Sequence, residues 1–213
     1  MGMPVSTWVE VDLDRFSSNL RAVRGLLGAG DGPGAPERGI LLVVKADAYG
    51  HGAVEIAEAA AAEGVACLGV ATLHEGIQLR QAGCRLPIVA LSPLLPSEVR
   101  EAVAHGLDPT VCDLDFARAL SAEAERAGRA VRCHVEVDTG MGRTGVREDE
   151  AEGFLGALAG LPGLRLASLF THFPDADAHD LSFAEEQVRR FRALAAHLAE
   201  RGIRPPRLHA ANS

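Results

Sequence analysis

The sequence predicts an α/β fold, a TIM-type (β/α)8 barrel that is incomplete, with about seven of its strands present. From residue 39 to residue 213, short runs of aliphatic residues alternate with amphipathic stretches of helical periodicity, and several of these stretches end at glycine. Strands and helices that alternate at short spacing indicate right-handed βαβ units and a parallel sheet. Aromatic residues make up only 4% of the chain, so we expect the aliphatic core that buried parallel strands use.

Seven strands are predicted in residues 39–213, whereas a closed barrel needs eight. Their sequences are ILLVVKA, CLGVA, PIVALS, DPTVC, VRCHVEVDT, LRLASLFTHF and RLHAANS. An open doubly wound sheet fits the same alternation, but the first βα turn lacks the GxGxxG pattern of the dinucleotide-binding version. We therefore expect barrel strands 1 to 7, with the chain ending on the seventh.

Residues 1–30 are expected to form a strand and a helix that precede the barrel. The segment TWVEVDL, residues 7–13, alternates outward and inward side chains as a half-buried strand does, and RFSSNLRAVRGLLG is amphipathic. A stretch rich in glycine and proline, residues 28–39, separates this unit from the first barrel strand.

The composition is that of one soluble globular domain, with 213 residues, 47% hydrophobic and 23% charged. A net charge of −8 without a basic stripe argues against nucleic acid and anionic membranes as partners. No apolar run approaches the roughly 20 residues of a membrane span, and the segment MGMPVSTWVEVDLD lacks a basic region followed by an apolar one, so we expect a cytoplasmic protein. The four cysteines are widely spaced, which indicates neither a zinc site nor a disulfide framework.

Lys45 is the only lysine in a chain that has 21 Lys and Arg residues in total. It follows an aliphatic run at residues 40–44, so its amine is expected at the end of a barrel strand, where the functional residues of parallel α/β folds cluster. In apolar surroundings, loss of hydration favours the neutral, nucleophilic amine that attacks a carbonyl group. The alternative is a lysine that reaches from the strand end to solvent.

Three further polar segments follow predicted strands. Residues 137–143, VDTGMGR, combine two glycines with Arg143, which can bind an oxyanion or end an ordinary turn. Residues 171–180, THFPDADAHD, carry two histidines and three aspartates, which suit either a divalent metal or a polar βα loop. Residues 209–213, HAANS, could cradle a phosphate through Ser213 and backbone N–H groups, or simply end a strand.

These motifs together resemble the alanine racemase family, whose members have an N-terminal (β/α)8 barrel and a C-terminal β-domain. The resemblance begins with TWVEVDLDRFSSNLRAVR and continues through VVKADAYGHG, ATLHEGIQLRQAG, VEVDTGMGRTG, THFPDADAHD and HAANS, in that order. It implies that residues 1–213 are the N-terminal cofactor-binding barrel domain and that the C-terminal β-domain is absent.

The resemblance also implies a site for pyridoxal 5'-phosphate and no metal. Lys45 would hold the cofactor covalently and serve as one of two proton-transfer bases, while Tyr49 and Ser213 would bind the phosphate. Arg143 would hydrogen-bond near the phenolic oxygen of the cofactor and help to hold the substrate carboxylate. The other residues implied in cofactor binding or support are His172, His209, Asn212 and Met141.

The chain departs from the family pattern at two places. The family takes its second base, a tyrosine, from the C-terminal domain of the partner subunit in a homodimer, and Tyr49 is the only tyrosine here. Glu136 stands where many members carry a carbamylated lysine. Strand alternation places His134, Glu136 and Asp138 on one face, so Glu136 could offer Arg143 a carboxylate directly, or pair with another cation.

The leading hypothesis is interconversion of L-alanine and D-alanine, supplying D-alanine for cell-wall peptidoglycan, with little activity expected from this fragment alone. A racemase for another amino acid, such as serine or lysine, shares most of these motifs. A single-barrel protein that binds the cofactor without turnover is a second class. The third is a metal-dependent barrel hydrolase that uses residues 172–180, which would leave Lys45 and Tyr49 without a role.

Overall fold

The computed structural model describes residues 7–28 and 38–212. Parallel strands alternate with helices along the chain. The strands are β1 (Leu41–Val43), β2 (Cys67–Val70), β3 (Ile88–Ala90), β4 (Asp108–Pro109), β5 (Val131–Asp138), β6 (Val146–Arg147), β7 (Leu164–His172) and β8 (Leu208–Ala211). The helices are α1 (Leu13–Leu27), α2 (Lys45–Gly50), α3 (Ala53–Ala62), α4 (Leu73–Gln81), α5 (Val99–Ala104), α6 (Leu114–Arg126), α7 (Ala151–Ala159) and α8 (Ser182–Glu200), with a 3₁₀ turn (Pro96–Glu98) before α5.

The strands form two parallel four-stranded sheets with the orders β1-β2-β3-β4 and β6-β5-β7-β8. An isolated bridge between Thr110 and His134 connects β4 to β5, so the two sheets continue into one curved wall. The seven predicted barrel strands therefore follow one another in chain order, as an incomplete TIM-type barrel requires. The additional strand β6 was not predicted; its Val146 pairs with Val137 near the end of β5.

The core between the strands and the helices is aliphatic, as the composition predicted. Leu68, Ile88 and Leu169 on the strands are fully buried, and each such side chain contributes about 1.5–3 kcal/mol relative to an exposed position. Helix α6 shows how a helix joins this core: Asp113 caps it by accepting a hydrogen bond from the Phe116 N–H at 2.8 Å. Its buried face then carries Phe116, Ala117, Leu120 and Ala124.

The predicted N-terminal strand is not present in residues 7–12, which have neither helical nor strand structure. The side chains of Trp8 and Val9 are 76% and 81% exposed, and no described strand lies beside them to supply ladder hydrogen bonds. Asp12, which the alternation assigned to the strand, instead caps α1 by accepting a hydrogen bond from the Arg15 N–H at 3.0 Å. The capping preference of aspartate therefore accounts for the start of α1 at the end of this segment.

The four cysteines are free thiols, with Cys133 buried and the others half-buried. Burial raises the pKa of the Cys67 thiol to about 11 and those of Cys112 and Cys133 to about 12. These thiols therefore stay protonated near neutral pH. In the described part of the chain, no helix combines the length and the apolar character needed to cross a membrane.

Candidate active site

A cavity of about 220 Å³ opens at the carboxyl ends of the strands, with lining residues from both sheets. Six residues that the sequence singled out line it: Lys45, Glu136, Arg143, His172, His209 and Asn212. The rest of the lining consists of side chains at or near strand ends, namely Leu41, Val43, Ala71, Leu91, Ser92, Thr144, Phe170, Thr171 and Ala211. A polar cavity at this end of a parallel barrel is the usual position of an active site.

Lys45 lies two residues after the end of β1 and is half-buried at the edge of the cavity. The N–H of Val44 donates to the carbonyl of Gly69 at 2.8 Å, which continues the β1–β2 ladder up to the residue before the lysine. The Lys45 Nζ lies 5.8 Å from the centroid of the Tyr49 ring, within range of a cation–π interaction. Tyr49 itself is 49% exposed and does not line the cavity.

The backbone between Lys45 and Tyr49 is left-handed. Residues 46–49 have φ between 50° and 56° and ψ between 39° and 51°, although none of them is glycine. Each L-residue in this conformation costs roughly 1–2 kcal/mol, so the surrounding contacts must offset the strain. Within the turn, the Ala48 N–H donates to the carbonyl of Val44 at 2.9 Å.

Glu75 on α4 braces this left-handed turn. Its Oε1 accepts a hydrogen bond from the Ala46 N–H at 2.7 Å, and its Oε2 accepts from the N–H groups of Ala71 at 2.7 Å and Thr72 at 3.0 Å. Burial raises the pKa of the Glu75 carboxyl, but these backbone donors outweigh it and hold the pKa below its usual value. Glu75 was not among the predicted site residues; its capping box with Thr72 was readable from the sequence, whereas its contact with Ala46 was not.

The loop after β5 is folded around the Asp138 carboxylate. The N–H of Gly140 donates to Asp138 Oδ1 at 2.9 Å, and the N–H of Gly142 donates to Oδ2 at 3.0 Å. Partial burial raises the pKa of Asp138, but these backbone donors more than offset this and leave the pKa lowered. The loop therefore holds Arg143 at the cavity, while Met141 lies in the loop and does not line the cavity.

A buried polar cluster joins this loop to β7. The hydroxyls of Thr139 and Thr171 lie 2.7 Å apart. Gln187 of α8, fully buried, donates from Nε2 to Thr139 Oγ1 at 3.1 Å and to the carbonyl of His172 at 3.2 Å. These bonds fix the end of β7, which carries His172, relative to the loop that carries Arg143.

Glu136 lies in the cavity wall, 3% exposed, and differs from the prediction in its partner. In place of a pair with Arg143, its Oε2 accepts a hydrogen bond from the Thr144 hydroxyl at 2.8 Å, and no ion pair joins Glu136 to Arg143 in the described residues. Burial raises the pKa of Glu136, while the Thr144 bond and the charge of Arg143 act in the opposite direction.

Both cavity histidines favour the neutral form. Burial lowers the pKa of His172, and the positive charges of Arg143 and Lys45 lower it further. Burial, assisted by His134, lowers the pKa of His209 to about 4. The His209 ring also stacks on Phe170 with centroids 4.8 Å apart and an interplanar angle of 5°.

The remaining predicted positions lie at the chain terminus and after β7. Asn212 lines the cavity, whereas Ser213 lies outside the described residues. In residues 7–28 and 38–212, no group of three or more His, Cys, Asp or Glu side chains is arranged to hold a metal ion. The acidic and histidine side chains of residues 171–180 are therefore not gathered into a ligand set.

The fold and the cavity together define an α/β barrel protein with a single amine at the end of its first strand, the arrangement suited to covalent chemistry on a carbonyl group. The family model described as alanine racemase, N-terminal domain, matches residues 11–213. The chain belongs to the alanine racemase family.

Similar proteins agree with this family over nearly the whole chain. An alanine racemase from Desulfovibrio desulfuricans is 41% identical over 206 residues, which are 97% of this chain and 54% of that protein. One from Synechocystis is 39% identical over 207 residues, again 97% and 54%. The chain spans about half the length of the curated relatives it matches.

Solved structures show the same fold. An alanine racemase from Clostridium difficile superposes with a TM-score of 0.91 at 33% identity, covering 100% of this chain and 57% of that one. The alanine racemase from Bacillus anthracis with bound L-Ala-P gives a TM-score of 0.86 at 33% identity, covering 100% and 53%.

Proposed function

We propose that this chain is the cofactor-binding barrel of a pyridoxal-phosphate-dependent alanine racemase, which interconverts L-alanine and D-alanine by two-base proton transfer. One observation carries the proposal: the only lysine of the chain lies at a barrel strand end and lines the cavity. Alanine is the proposed substrate because the similar proteins carry the name alanine racemase. The D-alanine would be made in the cytoplasm and used in the cell wall.

The residues present fit the cofactor. Lys45 supplies an amine for its aldehyde carbon, and Lys45 and Arg143 make the cavity favourable for an anionic ligand, which the neutral imidazoles of His172 and His209 do not oppose. Tyr49, beside Lys45, is the proposed phosphate ligand, together with the terminal residues Asn212 and Ser213. When bound, the cofactor would delocalise the electrons left behind by the departing α-proton.

The chain's own residues supply one side of the proton transfer. The Lys45 amine is the proposed base on one face of the substrate, and Arg143 is proposed to hold the carboxylate. Tyr49 is the only tyrosine of the chain and is the proposed phosphate ligand, so no tyrosine is left to serve the opposite face. The second base is therefore proposed to come from a partner subunit in a homodimer, and this chain alone is expected to turn over poorly.

The test of cofactor binding uses Lys45, the only side chain of the chain that carries a primary amine. After pyridoxal phosphate is added to the purified chain, we expect a visible absorption band, and after borohydride reduction we expect the cofactor mass on the peptide that contains Lys45. Because Lys45 is the only lysine, the only other primary amine in the chain is its N-terminus, and peptide mapping separates the two.

Lys45→Ala and Lys45→Arg should both lose the band and the adduct, although the second keeps the positive charge. Added zinc or manganese should change neither readout. An adduct found only at the N-terminus would contradict the proposal.

A further inference from the structure

We propose that Glu75 is a positioning residue, which sets the spacing between the Lys45 amine and the Tyr49 hydroxyl by holding the turn between them left-handed. This inference rests on the proposed function, because it concerns how the two ends of pyridoxal phosphate are bound. Glu75 is not itself a lining residue of the cavity, so it would act through the backbone of α2.

The turn between Lys45 and Tyr49 needs support from outside its own residues. Four successive residues that are not glycine, residues 46–49, have positive φ, which isolated peptides of L-residues avoid. A turn of this handedness persists only where the surrounding structure fixes it. The carboxylate of Glu75 supplies such a contact at the first of these residues, Ala46.

Glu75 also joins two strand ends. One carboxylate oxygen binds the Ala46 N–H, one residue after Lys45, while the other oxygen binds the N–H groups of Ala71 and Thr72 just beyond β2. Hydrogen bonds to an ionised carboxylate are stronger than those between neutral groups. The start of the turn is thereby tied to the rigid end of β2.

The binding of a ligand that contacts both ends of the turn should depend on the conformation of the turn. Lys45 lies at one end and Tyr49 at the other, with the Lys45 Nζ 5.8 Å from the tyrosine ring. Pyridoxal phosphate would use the amine for its aldehyde and the tyrosine for its phosphate, so its affinity depends on the spacing between them. Pyridoxal, which lacks the phosphate, would use the amine alone and is insensitive to that spacing.

The experiment compares the two ligands in Glu75→Gln. A glutamine has the same shape, but its amide nitrogen donates rather than accepts, so at least one of the backbone N–H groups loses its partner. Dissociation constants are measured by absorbance titration of pyridoxal phosphate and of pyridoxal. We expect affinity for pyridoxal phosphate to fall about tenfold or more and affinity for pyridoxal to change less than about threefold.

A matched control is Glu98→Gln. Glu98 makes the same kind of contact at the 3₁₀ turn, where its Oε2 accepts a hydrogen bond from the Leu95 N–H at 2.7 Å. Like Glu75, Glu98 does not line the cavity. This variant should bind both ligands as the unmodified chain does. If Glu75→Gln does not fold, Glu75→Asp, which keeps the charge on a shorter side chain, takes its place with the same expectation.

A combination with Tyr49→Phe separates positioning from general support of the fold. If Glu75 acts by placing Tyr49, then Glu75→Gln should weaken pyridoxal phosphate binding little further in the Tyr49→Phe background. Equal losses for both ligands, or fully additive losses in the double variant, would overturn the inference. A chain that forms no adduct at Lys45 would instead overturn the proposed function, and a normal adduct with unchanged affinity in Glu75→Gln would overturn this inference alone.

Discussion

The carboxylate of Glu136 is almost fully buried, and one hydroxyl, that of Thr144, hydrogen-bonds to it. Burial raises its pKa above that of the unfolded chain, so the folded state binds the proton more tightly. The contribution of Glu136 to the free energy of unfolding therefore falls as pH rises from the unfolded pKa, 4.5, through the folded pKa, because the folded protein must then hold a buried charge. The Thr144 hydroxyl reduces this cost.

Thr144→Val removes that hydroxyl and should lower the free energy of unfolding by about 1.5–3 kcal/mol above the folded pKa of Glu136, where the carboxylate is ionised. The loss should be smaller at pH 4, where Glu136 is mostly protonated in both the folded and the unfolded chain. Urea unfolding at the two pH values measures the difference. Thr110→Val is the matched control, because Thr110 is buried and its hydroxyl has no hydrogen-bond partner, so an equal cost there would contradict the assignment.

The loop between β5 and β6 is the element that presents Arg143, and its glycines differ in what surrounds them. At Gly145, φ is +112° and a Cβ would lie 2.8 Å from the backbone nitrogen of Asp138. At Gly142, φ is +68° and a Cβ would meet nothing within 4 Å. Backbone atoms cannot move aside as a flexible side chain can, so Gly145 is the position where the loop depends on having no side chain.

Gly145→Ala should therefore lower the free energy of unfolding by about 2–4 kcal/mol, from steric overlap added to backbone strain. Gly142→Ala should cost only about 1 kcal/mol, the strain of a positive φ alone. Urea unfolding of both variants gives the comparison. Equal costs at the two positions would show that the loop relaxes away from the new methyl group.

Elements with a clear period or cap were predictable from the sequence. The seven barrel strands and helices α3 to α8 follow from aliphatic runs and amphipathic stretches, because these local patterns agree with the tertiary packing. The left-handed turn was not predictable: Ala46 and Ala48 are strong formers of right-handed helix, and the contact that opposes this comes from Glu75, 29 residues away. The prediction of the N-terminal strand was wrong because a strand also needs a neighbouring strand to hydrogen-bond with, and its own residues do not specify one.

The cavity residues were predictable for a related reason. Functional groups of a parallel barrel lie at strand ends, and Lys45, Arg143 and His172 are among the polar residues found there. Thr144 and Gln187 were missed, since a threonine in a loop and a glutamine on a helix carry no sequence signal for burial. Only the fold reveals that Gln187 bonds to two neighbouring strand ends.

At the scale of the whole molecule, the cavity lies between two sheets that share an isolated bridge between Thr110 and His134. Lys45 follows β1 of the first sheet, whereas Arg143 lies in the loop between β5 and β6 of the second sheet and His172 ends β7 of that sheet. A ligand bound to both sides would therefore connect the two halves of the barrel wall.

Such a ligand should stabilise the folded chain by mass action. At a free pyridoxal phosphate concentration of about 100 times Kd, the gain is about 2.7 kcal/mol, equivalent to a rise in Tm of roughly 5–10 °C. Differential scanning calorimetry over a series of cofactor concentrations measures it. Lys45→Ala should show a much smaller rise, and the same rise in that variant would mean that the ligand binds elsewhere.

The left-handed turn also determines which substitutions its positions tolerate. Elsewhere in a helix, replacing alanine with glycine destabilises the protein, but at Ala46 and Ala48 glycine relieves the backbone strain. Asp47 is already suited to this conformation, and its carboxylate also accepts a hydrogen bond from the Ala53 N–H at 2.7 Å, at the start of α3. Valine or isoleucine, harmless at many exposed positions, would be poorly tolerated here because β-branched residues rarely adopt a positive φ. The usual ranking of substitutions is thus reversed over one short segment beside the Lys45 amine.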